Sequence, residues 1–175
     1  MNDIQILVGD CRETLKQLPD QCVQTCITSP PYFGLRDYGH DGQIGLEETP
    51  EQFIQKLVDV FREVKRVLKD DGTLWVNIGD SYFNTQNNNR NGCCGTLGGK
   101  TRGGGEYSTQ KRNAGNTGCK VKDLIGIPWM VAFALRSDGW YLRQDIIWHK
   151  PNPMPESVKD RCTKAHEYIL SLIHI

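Results

Sequence analysis

Short apolar runs that end in small or polar residues alternate along this chain with longer segments whose apolar positions recur every three or four residues. Ile4 to Val8 is a run of the first kind, closed by Gly9-Asp10, and reads as a buried strand. Arg12 to Leu18 has helical composition and stops at Pro19. Val23 to Thr28 is a second strand candidate and enters Ser29-Pro30-Pro31-Tyr32. Neither proline has an N–H for a ladder, so the chain must leave the sheet there.

The clearest helix comes next. Thr49 stands in the capping position, Pro50 in the first helical position and Gln52 three residues after the cap. Phe53, Leu57, Phe61, Val64 and Leu68 form one apolar face, and Asp71-Gly72 is the expected stop. Thr73 to Ile78 reads as a strand ending in Gly79-Asp80. Asp123 to Ser137 reads as a helix with Pro128 in its true first turn and Gly139 beyond its end. Trp140 to Lys150 has strand composition, Pro151, Pro153 and Pro155 stiffen an extended segment, and Glu167 to Leu172 is the last strand. Strands alternating with capped helices predict an α/β layered sheet with largely parallel strands. Sites in such sheets form beyond the carboxyl ends of the strands. Gly9-Asp10-Cys11, Ser29 to Tyr32 and Gly79-Asp80 all fall at such ends.

Length and composition narrow the class. With 175 residues, 38% hydrophobic and 24% charged, the chain is one globular domain, not a collagen-like, coiled-coil or wholly disordered one. The longest mostly apolar stretch, Ile125 to Leu135, is too short to span a bilayer. The N-terminus has no basic region followed by an apolar one, so no signal peptide is expected. Seven cysteines without a disulfide-framework spacing read as reduced thiols of a cytoplasmic protein. Cys22 and Cys26 flank a strand, about 13 Å apart at strand rise, and no metal site is expected from them or from His149, His166 and His174. The glycines at 103–105 follow no strand and begin no helix, which excludes a dinucleotide fingerprint.

Charge is balanced in total, 21 basic against 21 acidic residues, but not along the chain. The segment 84–122 holds Arg90, Lys100, Arg102, Lys111, Arg112, Lys120 and Lys122 against the single acid Glu106, and is rich in glycine and asparagine. It buries too little apolar surface to fold alone. Its bland reading is a solvated loop; its sharper one is a segment that meets a polyanion, with Lys and Arg on phosphates and Asn or Gln on base edges.

Ser29-Pro30-Pro31-Tyr32 at a strand end resembles the hallmark of the amino-group DNA methyltransferases, [Asp/Asn/Ser]-Pro-Pro-[Tyr/Phe/Trp]. LVGDCRETLKQLPDQCVQTCITSPPYFGLRDYG resembles that family's opening block, and VLKDDGTLWVNIGDSY its following helix-to-strand block. GWYLRQDIIWHKPNPMPESVKDRCTKAHEYIL resembles the block with Trp-x-Lys-x-Asn-x-x-Pro, here Trp148, Lys150, Asn152 and Pro155. The order, with the catalytic motif first, is that of the permuted β group.

The resemblance implies a Rossmann-like, doubly wound, largely parallel fold, incomplete at the C-terminus. It implies one partial catalytic domain over 1–175, with 84–122 an inserted target-recognition or DNA-contacting loop. It implies methyl transfer from S-adenosylmethionine to the exocyclic amine of a flipped base in double-stranded DNA, cytosine N4 favoured over adenine N6 because Ser is the commoner first residue among the cytosine enzymes. Ser29, Pro30, Pro31 and Tyr32 would be catalytic. Asp10, Cys11, Ser29 and Pro30 would hold the cofactor, although Cys11 also reads as a small buried hydrophobe and Asp10 as a cap for the Arg12 helix. Arg90, Lys100, Arg102, Lys111, Arg112, Lys150 and Asn152 would contact DNA. A companion restriction endonuclease fits the same context.

The chemistry accounts for these residue types. An exocyclic amine is a poor nucleophile because its lone pair is delocalised into the ring. Acceptors at its hydrogens, here the Ser29 hydroxyl and the Pro30 carbonyl, localise and orient that lone pair. The target leaves the stack to react, and Tyr32 offers a stacking face worth roughly 1–3 kcal/mol. The chain departs from the family in lacking the downstream Phe-x-Gly-x-Gly cofactor loop and the His-Pro-Thr-Gln-Lys-Pro-like segment before it. It therefore reads as the first part of a longer enzyme, weak or inactive alone. Two other readings are a non-catalytic nucleic-acid-binding module and a methyltransferase of RNA or a small molecule.

Overall fold

Thr49 and Pro50 start the longest helix as their residue types predict. The Thr49 backbone is extended, its hydroxyl accepts the Gln52 N–H at 3.3 Å, and α2 (Pro50–Val67) follows. A shorter helix precedes it, α1 (Cys11–Thr14), running into a 3-10 turn over Leu15–Gln17. The strands are β1 (Val23–Thr28), β2 (Leu68–Ile78), β3 (Tyr141–His149) and β4 (His166–Ile173), and α3 (Ile127–Ser137) lies between β2 and β3. The computed structural model describes residues 4–83 and 118–174. The basic segment expected over 84–122 lies outside them for all but its last residues, as do Arg90, Lys100, Arg102, Lys111 and Arg112.

α2 stops at Val67, short of Asp71-Gly72, because Leu68 already pairs with Val23. Strand pairing overrides the helical stop signal. The next β1–β2 pair is Thr25 with Thr73, so residues 69–72 bulge from β2 opposite Gln24. Gly72 permits that bulge, since a Cβ there would stand 2.7 Å from the Lys69 carbonyl oxygen.

The sheet order is β1-β2-β4-β3. β1 and β2 pair in parallel, whereas β4 is antiparallel to both β2 and β3. Three of the four strands therefore point the same way, and the sheet is mixed by virtue of β4. One face carries Leu74, Val76 and Ile78 of β2 with Leu170 and Leu172 of β4, all fully buried. This face forms one core with Phe53, Leu57 and Phe61 of α2 and Val131, Ala132 and Leu135 of α3. The opposite face presents Thr73, Trp75 and Asn77 beside Ser171 and Ile169.

One predicted strand does not form. Ile4 to Val8 joins no sheet, and Ile4, Ile6 and Val8 are 92%, 81% and 90% exposed. β1 pairs only with β2 among the described residues, so its outer edge is left open and the run does not add to it. No helix among the described residues is long and apolar enough to cross a membrane.

Candidate active site at the end of the sheet

The topology collects one end of every strand. β1, β2 and β3 finish there, and β4, running the other way, starts there. Ser29 and Tyr32 follow β1, Asn77 is the penultimate residue of β2, Lys150 follows β3 and Glu167 is the second residue of β4. Residues scattered over most of the chain are thereby brought within hydrogen-bond reach.

Tyr32 is the hub. Its hydroxyl donates to Glu167 Oε2 at 2.9 Å and lies 3.2 Å from Asn77 Oδ1. Glu167 Oε1 accepts from Lys150 Nζ. Asn77 Oδ1 also accepts from Ser29 Oγ at 3.3 Å, while its Nδ2 donates to the Tyr168 carbonyl at 3.2 Å. Burial, followed by the hydrogen bond and charge of Glu167, pushes the Tyr32 phenol up to about 12, so it stays a neutral donor at neutral pH. Burial also pushes the Glu167 carboxyl up, but hydrogen bonds from Lys150 and Tyr32 more than offset this and hold it below its ordinary value. Glu167 is therefore an ionised acceptor, bridging the motif tyrosine to a lysine from another strand end.

The Tyr32 ring is fixed sterically as well. A Cβ at Gly79 would stand 2.6 Å from Tyr32 Cε2, so the ring occupies space that only glycine leaves open. The next residue, Phe33, is buried and packs on Phe53 of α2 with ring centroids 5.5 Å apart. The tyrosine thus sits between a strand end and the helical core, while Ser29 and Pro31 remain exposed and Pro30 partly so.

The other predicted residues divide. Lys150 reaches the cluster; Asn152 is exposed beyond it. Asp80, at the second Gly-Asp strand end, serves the fold. Its carboxylate accepts from the backbone N–H groups of Ser81, Gly126 and Ile127 and ties the start of α3 to the end of β2. Asp10 caps α1 by accepting the Arg12 N–H at 2.9 Å and pairs with the Arg12 guanidinium. The capping role is therefore realised. The Arg12 hydrogen bonds hold the Asp10 carboxyl down at about 2. Cys11 is exposed, which corrects its reading as a buried small hydrophobe. Among the described residues no group of three or more His, Cys, Asp or Glu could hold a metal ion.

Comparison with known proteins decides the family. The model of the N6/N4 DNA methylase family matches residues 23–173, from the first residue of β1 to the last of β4. This chain belongs to that family. It is 50% identical to the type II methyltransferase M.SmaI of Serratia marcescens, over 98% of this chain and 56% of that protein. It is 50% identical to M.Cfr9I of Citrobacter freundii, over 98% of this chain and 55% of that one. The chain thus spans about half the length of these relatives. A structure from Thermus thermophilus, described as a putative DNA modification methylase complexed with S-adenosyl-L-methionine, superposes with a TM-score of 0.61 at 25% identity, covering 95% of this chain and 51% of that one. The cytosine-N4-specific PvuII DNA methyltransferase shares the fold, with a TM-score of 0.62 at 16% identity over 95% of this chain and 47% of that one.

Within this family fold, the sequence places Gly79 at a strand end where sites form but assigns no role to it, to Asn77 or to Glu167. Asn77 carried a signal nonetheless. It is the one amide in Thr73–Ile78, on the face alternate to Leu74, Val76 and Ile78, next to the carboxyl end of the strand. Glu167, the second residue of β4, is the one acid of that strand. Gly79 is marked in the sequence only by its place at a strand end, because the close approach of Tyr32 is a tertiary fact.

Proposed function

We propose that this chain carries the amine-binding half of a DNA methyltransferase and that the amine is cytosine N4. The observation supporting this is the Ser29–Tyr32 pair itself. Ser29 Oγ is exposed at a strand end, hydrogen-bonded to Asn77, and the Tyr32 ring is held beside it by Glu167 and the missing Cβ of Gly79. Ser29 Oγ and the Pro30 carbonyl accept the two amine hydrogens of a flipped base, which localises the nitrogen lone pair, while Tyr32 supplies a stacking face. Pro30 and Pro31 hold these groups before the base arrives, so little ordering is left to the reaction itself. Ser at position 29 supports cytosine over adenine, by resemblance to the enzymes that share it.

The methyl donor proposed is S-adenosylmethionine, which supplies an electrophilic methyl group when bound. Ser29 and Pro30, unobstructed at the end of β1, fit such a group; Asp10 is ionised and exposed, although Arg12 already occupies its carboxylate. Asp10, Cys11, Ser29 and Pro30 are the residues of this chain that would hold it. Because the chain spans about half of its relatives, we assign the rest of the donor cradle to sequence outside these residues and expect weak or no transfer from the 175 residues alone. Arg90, Lys100, Arg102, Lys111, Arg112, Lys150 and Asn152 are the proposed contacts to double-stranded DNA, and the modification protects it from a companion endonuclease.

Nucleoside analysis of DNA treated with the intact protein and the donor tests the reading. N4-methylcytosine is the expected product. N6-methyladenine alone would overturn the choice of base, and unmodified DNA would overturn the function.

A further inference from the structure

We propose that Asn77 is a positioning residue that makes the Ser29 hydroxyl an acceptor, by taking its proton on the protein side so that its lone pairs face the base. The inference rests on the reading of Ser29 as an acceptor for the base amine and extends it to a residue that touches neither base nor donor.

A serine hydroxyl is ambivalent. It carries one proton and two lone pairs, and it rotates to suit its surroundings. At a site that must accept from an amine, a hydroxyl whose proton points outward meets the amine hydrogens with a hydrogen of its own. Something must draw that proton inward. Asn77 Oδ1, 3.3 Å from Ser29 Oγ, is placed to do so.

Two further contacts make the arrangement directional. Asn77 Nδ2 donates to the Tyr168 backbone carbonyl at 3.2 Å. Flipping the amide would set its oxygen against that carbonyl, acceptor to acceptor, and turn an N–H toward Ser29, so the main chain of β4 fixes which end of the amide faces the motif. The Tyr32 hydroxyl is the other candidate for Asn77 Oδ1, at 3.2 Å. It has one proton, and the ionised Glu167 carboxylate takes it at 2.9 Å. Oδ1 is thereby left to Ser29. The chain of dependence runs from the Tyr168 carbonyl through the Asn77 amide to the Ser29 hydroxyl.

The test is a mutant cycle on the intact protein, read as kcat and as KM for DNA. Asn77→Leu, close to isosteric and without an acceptor, is expected to lower kcat at least tenfold with KM changed less than threefold. In a Ser29→Ala background, where no hydroxyl remains to orient, Asn77→Leu is expected to cost less than threefold further. In a Ser29→Asp background, whose carboxylate accepts without a proton to direct, it should likewise cost less than threefold. Full additivity in both backgrounds would mean that Asn77 acts on the fold, and the proposal falls. A crystal structure of the unmutated protein, with the amide assigned by neutron diffraction, decides the matter without any variant: Nδ2 toward Tyr168 supports the proposal and Nδ2 toward Ser29 overturns it. An intact wild-type protein that methylates neither cytosine nor adenine overturns the functional reading itself, an outcome distinct from an active enzyme with an additive cycle, which removes the role of Asn77 alone.

Discussion

The Tyr32 hydroxyl donates to Glu167 Oε2 at 2.9 Å, joining residues 135 apart in the sequence. Because β4 runs against the other strands, its first residues lie where β1 ends, and the carboxylate reaches the motif from the far side of β2. The bond leaves the tyrosine with a fixed ring plane and a hydroxyl directed into the protein.

This pairing is expected to be visible by alkaline titration. The Tyr32 phenol is raised from 10 to about 12, by burial first and by Glu167 second. A raised folded value means that its contribution to stability is full below pH 10 and is lost as the pH rises through about 12. The absorbance difference between the wild type and Tyr32→Phe in the phenolate band should show a midpoint near that higher value. Glu167→Gln, which removes the negative charge, should bring the midpoint down toward the ordinary phenol value. An unchanged midpoint would show that Glu167 does not act on the phenol.

Gly79→Ala should damage the site more than the fold. The added methyl would meet Tyr32 Cε2 at 2.6 Å and must displace the ring. Overpacking of this kind costs about 1–3 kcal/mol, while loss of the aligned stacking face should lower methyl transfer by tenfold or more. In a Tyr32→Ala background the same substitution should cost less than about 0.5 kcal/mol in urea unfolding, because the clashing atoms are gone. An equal cost in both backgrounds would locate the strain in the backbone of β2.

Much of this architecture was legible in the sequence, and the exceptions share a cause. β1 begins and ends where the sequence places its strand, because Pro30 and Pro31 end it by covalent chemistry. α2 starts where Thr49 and Pro50 place it. Its end was misplaced because Leu68, the last residue of the apolar stripe, is taken by Val23 of β1, a contact no local pattern encodes. The run Ile4 to Val8 has strand composition, but composition alone does not place it against the open edge of β1. At the site, Ser29 and Tyr32 could be named because they are contiguous in a motif. Asn77, Gly79 and Glu167 are joined to them only by the sheet order, which periodicity does not reveal.

The start of α2 and its packing should separate cleanly in stability measurements. Thr49→Ala removes the acceptor for the Gln52 N–H and should cost about 1 kcal/mol. Phe53→Ala empties a fully buried position against Phe33 and should cost about 3–5 kcal/mol. Because Phe33 adjoins Tyr32, Phe53→Ala in the intact protein should also lower methyl transfer under conditions where the protein remains folded, and Thr49→Ala should not. The check is urea unfolding beside turnover for both variants.

Asp10 offers two roles that one substitution can part. Its carboxylate caps α1 and pairs with Arg12, and the Arg12 hydrogen bonds lower its pKa to about 2. A lowered folded value means that the stabilisation is full above pH 3.8 and is lost as the pH falls through about 2, so nothing should change at this residue near neutral pH. Asparagine caps a helix about as well as aspartate but carries no charge. If Asp10 serves only the fold, Asp10→Asn, which keeps the cap but loses the Arg12 ion pair, should lower the melting temperature slightly and leave the Kd for S-adenosylmethionine unchanged, measured by calorimetry on the intact protein. If the carboxylate also holds the donor, as we propose, Asp10→Asn should show the same small loss in melting temperature and in addition weaken donor binding by about tenfold, the ordinary size of one charge-assisted hydrogen bond of about 1.4 kcal/mol or slightly more. Asp10→Ala, which loses cap and charge together, should lower both, and the difference between the two variants isolates the cap.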